Sequence, residues 1–540
     1  MPTQAECIGR NGDFFMKHNR IAAALLAAAM IFSFCSCDNS SEQNGDTNEP
    51  NETVQYTPEK GGTLKLACFT PDTLNPLSTQ YSNVRDVLMT VYEGLFEAQS
   101  NLRAVPVLAD SFTVSSSNKI YTIKLKPNVT FHDGSAFDAT AVAATFNYIK
   151  SYPTPYTDML SNVLSCTVID AATVSVELIS PQADFVNNLD FPILPSSLTK
   201  EAFAAENTAF VPIGTGRFKY EGQVPSKYMT CVRYDNWHGG RETYIDNIKI
   251  SFMHSSDDIF HAFDAGETDM YTTDGSNWGE FSFTSDVTAY ECGSPRYTYL
   301  GINTGNRNLA DASVRRDMNA MLNKKELVTD VIFNHATPAE LPVIATAYYN
   351  EEKTNDKAKD GTTAAAETTQ KAPDLNKYGF SVYLLYNSES KEKQRAAQFI
   401  KKAVEPYGIT VVLQSVDFDN YRQRIAEGNY DLYIGEVVMQ NNMNTDFMFN
   451  SQYRTAQNLC IFSNGEFDSL LNNMDMINES SENASIAYDN LKKYFLENVP
   501  QIPLFHTNTA LFVSNRVKGS ITPNMSAYYS SVGDFYINYK

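Results

Sequence analysis

The most regular pattern of hydrophobic and polar positions lies between residues 380 and 435. Residues 380–386, 409–413 and 430–434 are short apolar runs that predict three strands. Residues 391–404 place their apolar side chains on one helical face, and a second helical segment ends near residue 428. Strands that alternate with helices at this spacing pair in parallel through right-handed crossovers, so this region is predicted to be an α/β lobe.

The first half of the chain contains shorter periodic segments. Residues 61–67 predict a strand after a glycine turn, and residues 84–96 carry an apolar stripe that predicts a helix. Tyr121, Ile123 and Leu125 alternate with polar residues, which predicts a strand with one solvated face. Much of residues 105–210 has short strands and turn clusters, with a helix near 141–149.

The N-terminus carries a targeting signal. A basic lead at 16–20 precedes an apolar run at 21–34, which is too short to span a bilayer but is typical of a signal-peptide core. Ser36 precedes Cys37 at its end, and this resembles the lipobox of bacterial lipoproteins. Residues 1–37 are therefore predicted to be a signal peptide, with Cys37 lipidated and the mature chain anchored outside the cytoplasm or periplasmic. The alternatives are an ordinary secretory signal and a start at Met16.

Two further segments have compositions that do not support a packed core. Residues 38–58 contain five acidic residues, no Lys or Arg, and many Asn, Ser and Thr, so they are predicted to be a disordered tether. Residues 351–374 form a low-complexity stretch rich in Thr and Ala, which predicts a mobile surface loop.

Composition and missing motifs exclude several functions. The 540 residues include 42 Lys and Arg against 63 Asp and Glu, and the resulting net charge of −21 repels nucleic acid. The sequence has no HExxH, GxSxG, GxxxxGK[ST] or GxGxxG motif, and its histidines lie singly. We therefore predict a binding protein rather than an enzyme, with no cofactor and no metal.

A series of short motifs runs along the whole body of the chain. In order they are Gly61-Gly62-Thr63-Leu64, Asp72-Thr73-Leu74-Asn75-Pro76-Leu77, Val91-Tyr92-Glu93-Gly94-Leu95-Phe96, Pro106-Val107-Leu108-Ala109-Asp110-Ser111, Val129-Thr130-Phe131-His132-Asp133-Gly134, Pro212-Ile213-Gly214-Thr215-Gly216-Arg217-Phe218, Ala265-Gly266-Glu267-Thr268-Asp269, Val314-Arg315-Arg316 and Val499-Pro500-Gln501-Ile502-Pro503-Leu504. In this order and spacing they resemble the extracytoplasmic solute-binding proteins of peptide and nickel ABC importers, solute-binding protein family 5. The resemblance covers about residues 60–540.

The resemblance implies an α/β fold of the periplasmic-binding-protein type, a Venus flytrap whose two lobes close on a ligand, with an inserted extra subdomain. The expected boundaries are 59–104, 212–308 and 506–540 for lobe I, 105–211 for the inserted subdomain and 309–505 for lobe II, with hinges near 303–311 and 505–509. The implied partners are a small solute, ABC permease subunits with cytoplasmic ATPases, and the membrane through the N-terminal lipid. The protein itself is expected to be a monomer.

The ligand-facing positions of the family map onto three segments of this chain. They are Tyr81, Ser82 and Asn83 after the first strand, Tyr271, Thr272, Thr273 and Asp274 after the Ala-Gly-Glu-x-Asp motif, and Tyr297 and Tyr299 on the strand before the crossover. Their rings and hydroxyls suit a ligand with backbone polar groups and apolar side chains. Interlobe packing is the alternative role for each tyrosine.

The segment after residue 435 departs from the family pattern. Peptide binders of the family often show a Trp there, followed three residues later by an Asp that pairs with the α-amino group of the ligand. Here Val437 stands at the Trp position and Gln440 stands near the Asp position. A neutral amide holds an ammonium less well than a carboxylate does, so Glu436, Asp446 and Asp274 are candidate substitutes. Glu436 also fits a rim position at a strand end.

The leading hypothesis is therefore the substrate-binding component of an ABC importer that captures an oligopeptide-like solute. One alternative is the same scaffold binding a metal chelate, a sugar or an opine. Another is a surface receptor, signalling lipoprotein or adhesin that keeps the fold without transport. A lipoprotein hydrolase is disfavoured because nucleophile–base signatures are missing.

Overall fold

The computed structural model describes residues 58–98, 103–198, 210–273, 286–342, 373–439, 445–453, 462–475, 484–524 and 528–538. The predictions that concern the signal peptide, Cys37, most of the tether, the loop over 351–374, Asp274 and Gln440 fall outside these residues, except for Pro58 and residues 373–374 at their edges.

The strands, in chain order along the described residues, are β1 (Thr63–Phe69), β2 (Phe96–Ala98), β3 (Ala104–Pro106), β4 (Ala109–Val114), β5 (Ile120–Leu125), β6 (Val163–Asp170), β7 (Thr173–Leu178), β8 (Phe218–Val224), β9 (Tyr228–Arg233), β10 (Asn247–Met253), β11 (Met270–Thr273), β12 (Val287–Ile302), β13 (Ala336–Pro338), β14 (Phe380–Asn387), β15 (Ile409–Val416), β16 (Leu432–Val438), β17 (Gln501–Ser514), β18 (Val517–Gly519) and β19 (Phe535–Ile537). The α-helices are α1 (Ser82–Leu88), α2 (Ala139–Ser151), α3 (Ser256–Asp264), α4 (Ala312–Met321), α5 (Lys324–Ile332), α6 (Lys391–Val404), α7 (Phe418–Ala426), α8 (Asp446–Phe449), α9 (Gly465–Asp475) and α10 (Ala484–Asn498).

Two four-stranded sheets share the first core. One has the order β1-β10-β9-β8, and the other, in the predicted inserted subdomain, has the order β4-β5-β7-β6. Buried side chains of both sheets, such as Leu66, Ile250, Ile123 and Val176, belong to one hydrophobic cluster. Because that apolar core is continuous, the inserted sheet is fixed against the first sheet rather than tethered to it.

A larger sheet of seven strands holds the second core. Its order is β11-β17-β12-β16-β14-β15, and β13 pairs with β17. The strands β12 and β17 are long and pair with each other along most of their length. At one end, near Val287 and Ser514, they lie beside β11. At the other end, near Gly301 and Gln501, they lie beside β16. These two strands therefore connect the β11 side of the molecule to the β14–β16 side.

The pairing of β12 with β17 is interrupted between Gly293 and Tyr297 of β12, opposite 506–508 of β17. Extra residues in one strand form a bulge, which bends and twists a sheet locally. The break in β17 lies inside the hinge segment predicted at 505–509. The break in β12 lies before the other predicted segment at 303–311, and the hinge positions stay predictions.

The α/β region predicted from the sequence is confirmed. β14 pairs in parallel with both β15 and β16, and α6 and α7 follow β14 and β15 respectively. Ser390 and Asp417 cap the two helices, because their side chains accept hydrogen bonds from the amides of Lys393 and Asn420.

The helix predicted over 84–96 is wrong in length, since α1 ends at Leu88. The backbone beyond it bonds to other segments: the carbonyls of Thr90 and Val91 accept hydrogen bonds from Phe218 and Gly216. The apolar residues continue past the helix because the residues that follow are buried in a turn. Burial there requires apolar side chains but no helical spacing.

Three of the sequence motifs meet beside the start of β8. The Glu93 carboxylate accepts hydrogen bonds from Trp237, His238 and Thr215, at 2.9, 2.8 and 2.8 Å. Burial raises the pKa of Glu93, but its bonds to His238, Trp237 and Thr215 outweigh burial and hold the pKa below its usual value. His132 bonds through Nε2 to the carbonyl of Gly216, at 2.8 Å. These motif residues therefore tie chain segments together.

Acidification is expected to weaken the fold through His132. Burial lowers the pKa of this imidazole, although its bond to Gly216 opposes the shift. In the unfolded chain the imidazole has a pKa of about 6.5, above its value in the folded protein. The contribution of neutral His132 to the free energy of unfolding is therefore complete above about pH 6.5 and is lost as the pH falls through the folded pKa. We expect urea-unfolding free energies of the wild type and His132→Gln to converge below that pH. Curves that stay parallel from pH 8 to pH 5 would contradict this.

Candidate ligand-binding site

The chain reverses its direction across the second sheet after β15. The connection through α6 leads from β14 to β15 on one side, and the connection through α7 leads from β15 to β16 on the other side. The helices cover opposite faces: Ile400 of α6 shares a core cluster with Leu384, whereas Tyr421 of α7 shares another with Leu385. The two connections therefore leave the carboxyl ends of β14 and β15 and cover opposite faces of the sheet. In open α/β sheets, ligands bind in the crevice outside the carboxyl ends of the strands.

Charged side chains converge at this edge of the sheet. The Glu436 carboxylate on β16 lies 3.5 Å from Arg296 Nη1 and 3.7 Å from Lys393 Nζ. All three side chains are largely buried, at 6, 14 and 5% exposed. Burial raises the pKa of Glu436, but the charges of Lys393 and Arg296 outweigh it and bring the pKa below its ordinary value. Glu436 is therefore an ionised carboxylate already facing two cations.

Tyr297 and Tyr299 lie on β12 beside this edge, and both are buried. Their rings stack at 5.4 Å between centroids, and Tyr297 also packs against His506 at 5.1 Å. Tyr299 covers Gly435, where an added Cβ would lie 2.4 Å from the tyrosine ring. The hydroxyl of Tyr297 accepts a hydrogen bond from Gln501 Nε2, at 2.9 Å. These contacts favour a packing role for Tyr297 and Tyr299, in which the two rings support the charged edge.

The second predicted segment lies on β11, two strands from β12. Tyr271 belongs to an aromatic cluster: it stacks on Phe263 at 5.9 Å and on Phe512 at 6.2 Å between centroids. The carbonyl of Thr273 accepts a hydrogen bond from the buried Thr509 hydroxyl, and Thr272 is half-buried beside it. Asp274 lies outside the described residues.

The first predicted segment lies in the other sheet, at the start of α1. Tyr81 is 40% exposed and meets Phe69 edge-to-face at 5.5 Å. Asn83 Oδ1 accepts a long hydrogen bond from the Phe69 amide at 3.4 Å, and Ser82 is the first residue of α1. This loop therefore presents one aromatic ring to solvent from the end of β1.

The structure brings together the predicted residues of β12 and β16 but keeps the others on separate strands. Tyr297 pairs directly with Val437, and Thr298 pairs with Glu436. Tyr271 to Thr273 belong to the same sheet, with β17 between β11 and β12, whereas Tyr81, Ser82 and Asn83 adjoin the first sheet. Gln440 lies outside the described residues.

Arg296 and Lys393 were not predicted from the sequence as site residues. Lys393 carried one signal: it lies in the first turn of a helix, where a cation meets the positive end of the helix dipole and needs compensation. Arg296 carried none, because nothing local shows that its strand pairs with β16. In the part of the chain that the structure describes, no three His, Cys, Asp or Glu side chains are placed to hold a metal. Nor does any described helix combine the length and hydrophobicity of a bilayer span.

The comparisons with known proteins agree with this architecture. Residues 103–459 match the model of the bacterial extracellular solute-binding proteins, family 5 Middle. The glutathione-binding protein GsiB of Pectobacterium atrosepticum (strain SCRI 1043) is 26% identical over 369 residues, 66% of this chain and 68% of GsiB. The oligopeptide-binding protein AppA of Bacillus subtilis (strain 168) is 22% identical over 535 residues, 93% of this chain and 96% of AppA. The structure of HbpA2 from Haemophilus parasuis has a TM-score of 0.72 at 19% identity, covering 88% of this chain and all of HbpA2.

The sheet topology and the fold shared with HbpA2 define a two-lobed α/β binding protein of the Venus-flytrap type, which confirms the predicted fold class. Since the family model spans most of the body, the chain belongs to the bacterial extracellular solute-binding proteins, family 5. The resemblance drawn from the ordered motifs is thereby confirmed, as is the role of solute-binding protein.

Proposed function

We infer that the protein is the solute-binding component of an ABC importer and captures an oligopeptide-like solute between its two lobes. The observation that carries this proposal is the polar, charged edge at the carboxyl ends of β14 and β16, next to the break in β12. The names of GsiB and AppA state that those proteins bind glutathione and oligopeptides, both of which are peptides.

The geometry supports capture by closure. β12 and β17 connect the two cores, and a bend at their bulge would move one core toward the other. Backbone hydrogen bonds to an extended peptide give affinity without reading its side chains, and trapped water fills unused side-chain pockets. The tyrosines add apolar surface and hydroxyls.

The remaining parts of the proposal concern where the protein works. A lipid on Cys37 holds it at the outer face of the cell membrane, and residues 38–58 provide the tether. The protein acts as a monomer, without catalysis, and delivers its solute to permease subunits driven by cytoplasmic ATPases.

Ligand capture is tested with the purified mature protein. Native mass spectrometry identifies any solute that co-purifies, and melting temperatures are measured with glutathione, with a mixture of tri- to hexapeptides, and with sugars and metal chelates. A peptide at a hundred times its Kd is expected to stabilise the fold by about 2.7 kcal/mol through mass action. A sugar or chelate that raises the melting temperature when no peptide does would overturn the peptide proposal.

Tyr81→Ala is expected to weaken peptide affinity about threefold to tenfold, because an aromatic contact contributes about 0.5–1.5 kcal/mol. The ring is 40% exposed, so the melting temperature without ligand should change little. Tyr383→Ala is the matched control, because Tyr383 is 51% exposed on β14, four residues before its carboxyl end. Calorimetric titration with the same peptide compares the two. Equal affinity losses in both variants would remove Tyr81 from the site.

A further inference from the structure

A cavity of about 360 Å³ lies beside the start of β8, apart from the charged edge. Its lining residues all fall within 86–126, 216–241 and 522–534, so none of those lining residues belongs to β12, β14, β16 or α6. Pockets that hold small molecules usually enclose about 300–1,000 Å³. The first core therefore contains a space of ligand size that solute capture at the charged edge does not use.

Two arginines of this cavity share one carboxylate. Arg217 Nη1 donates a hydrogen bond to Asp534 Oδ1 at 2.9 Å, and Arg241 Nη1 donates one to Asp534 Oδ2 at 3.2 Å. The Arg217 guanidinium also lies over the Trp237 ring, 4.2 Å from its centroid, and its side chain is 12% exposed. Among the described residues, Asp534 takes one N–H group from each guanidinium. Because a guanidinium has five N–H donors in one plane, the others remain available to an oxyanion in the cavity.

Lys126 is a third cation in the lining of the cavity. It is half-buried, and no carboxylate in the described ranges pairs with its ammonium group. The carboxylate of Glu93 already accepts three hydrogen bonds from the protein. Asp86 and Glu97 add two further carboxylates to the lining. The cavity therefore combines three cations that suit a phosphate with carboxylates that suit a positive group, and a ligand that carries both charges fits it best.

The rim of the cavity lies where the chain enters the folded body. Lys60 Nζ pairs with Glu242 Oε1 at 2.7 Å, and Arg241 immediately precedes Glu242. The first residues of the body therefore lie against the segment that carries part of the cavity wall. The predicted tether of residues 38–58 ends at this point, and a flexible linker of that length has an end-to-end distance of about 25 Å. The cavity is thus within reach of the bilayer that holds the proposed lipid on Cys37.

We propose that this cavity binds the headgroup of a membrane phospholipid, with the phosphate on Arg217, Arg241 and Lys126. Binding there would fix which face of the tethered body rests on the membrane. The inference goes beyond solute capture and takes from the proposed function only the lipid anchor, which brings the headgroup near.

The chemistry of the lining selects among headgroups. Guanidinium groups bind pairs of phosphate oxygens, and the lysine adds a compact positive charge. A primary ammonium donates hydrogen bonds to carboxylates, which a trimethylammonium group cannot do, so phosphoethanolamine fits better than phosphocholine. The net charge of −21 also disfavours approach to an anionic bilayer.

Vesicle sedimentation tests the proposal with the mature chain produced without its lipid, which keeps every described residue. The vesicles contain phosphatidylcholine alone, or phosphatidylcholine mixed equally with phosphatidylethanolamine or with phosphatidylglycerol. The affinity for the phosphatidylethanolamine vesicles is expected to be about tenfold higher than for the other two, because hydrogen bonds between charged groups are gained. Calorimetric titration with glycerophosphoethanolamine and with inorganic phosphate measures the soluble forms of the same chemistry.

Two variants separate the cavity from general surface charge. Lys126→Met and Arg241→Met are each expected to lower the affinity for phosphatidylethanolamine vesicles about tenfold. Lys124→Met is the matched control, because Lys124 is exposed on β5 two residues away and does not line the cavity. Peptide affinity, measured on the same samples, should be the same in all three variants and the wild type.

The headgroup site is overturned if phosphatidylethanolamine vesicles bind no better than the other two, or if Lys124→Met loses as much affinity as Lys126→Met. If glycerophosphoethanolamine or phosphate binds and no vesicle does, the cavity takes a free phosphate compound and the membrane role is overturned. A wild type that binds the vesicles but no peptide would defeat the proposed function and leave the headgroup site standing.

Discussion

Replacing Gly214 by alanine is expected to lower the free energy of unfolding by about 3 kcal/mol, the upper part of the range for overpacking a core. An added Cβ would lie 2.1 Å from the carbonyl oxygen of Val91 and 2.8 Å from its carbonyl carbon. Backbone atoms cannot rotate away as a side chain does. The strain would reach His132, whose amide donates to the Gly214 carbonyl at 2.9 Å.

Gly222→Ala on β8 is the matched control for this effect. A Cβ there meets no atom within 4 Å, so urea unfolding should show a change within about 0.5 kcal/mol, as for a surface substitution. If the two alanine variants lose equal stability, the close approach of Gly214 to Val91 does not hold the segments together.

Arg315→Met is also expected to lower the free energy of unfolding, by about 3 kcal/mol, because it leaves several buried carbonyl oxygens without donors. The guanidinium donates to the carbonyls of Leu309, Ala310, Asn498 and Val499, at distances from 2.6 to 3.1 Å. Burial lowers the pKa of Arg315, but the group stays the donor that joins the start of α4 to the end of α10 and the start of β17.

The neighbouring residue provides a control of the same chemistry. Arg316 Nη1 donates a hydrogen bond to the exposed carbonyl of Glu497, at 2.5 Å. Water easily replaces the guanidinium as the donor to this carbonyl. Arg316→Met should therefore change the free energy of unfolding by less than about 0.5 kcal/mol. A measurement in which Arg316→Met is the more harmful variant would show that the role of the Val314-Arg315-Arg316 motif has been assigned to the wrong arginine.

Local periodicity was sufficient to predict the α/β part of the fold. Residues 380–434 predicted the order of strands and helices because β14, β15 and β16 each carry buried apolar residues and their helices are amphipathic. The same signal failed after α1, where Val91, Tyr92 and Leu95 are buried in a turn whose backbone bonds to a segment far along the chain. A hydrophobic pattern shows which residues are buried, but it does not show which segment of the chain their backbone groups bond to.

The candidate site was predicted only in part, for the same reason. Glu436 and Val437 were predicted from the family resemblance, as residues that follow the strand expected at 430–434, but their neighbours depend on strand order. Arg296 reaches Glu436 only because β12 lies antiparallel to β16, and Lys393 only because α6 begins at the carboxyl end of β14. Tyr297 and Tyr299, predicted as ligand contacts, have packing partners that their sequence positions do not show. Their assignment to the site stays a proposal.

The capture of a solute by two lobes is tested most directly by small-angle X-ray scattering on the mature protein, with and without a saturating amount of the tightest-binding peptide. The radius of gyration and the maximum dimension should both decrease on binding, because the bulged strands β12 and β17 let one core rotate toward the other. Identical scattering curves, with calorimetry showing the peptide bound at full occupancy, would contradict closure of the lobes over the solute.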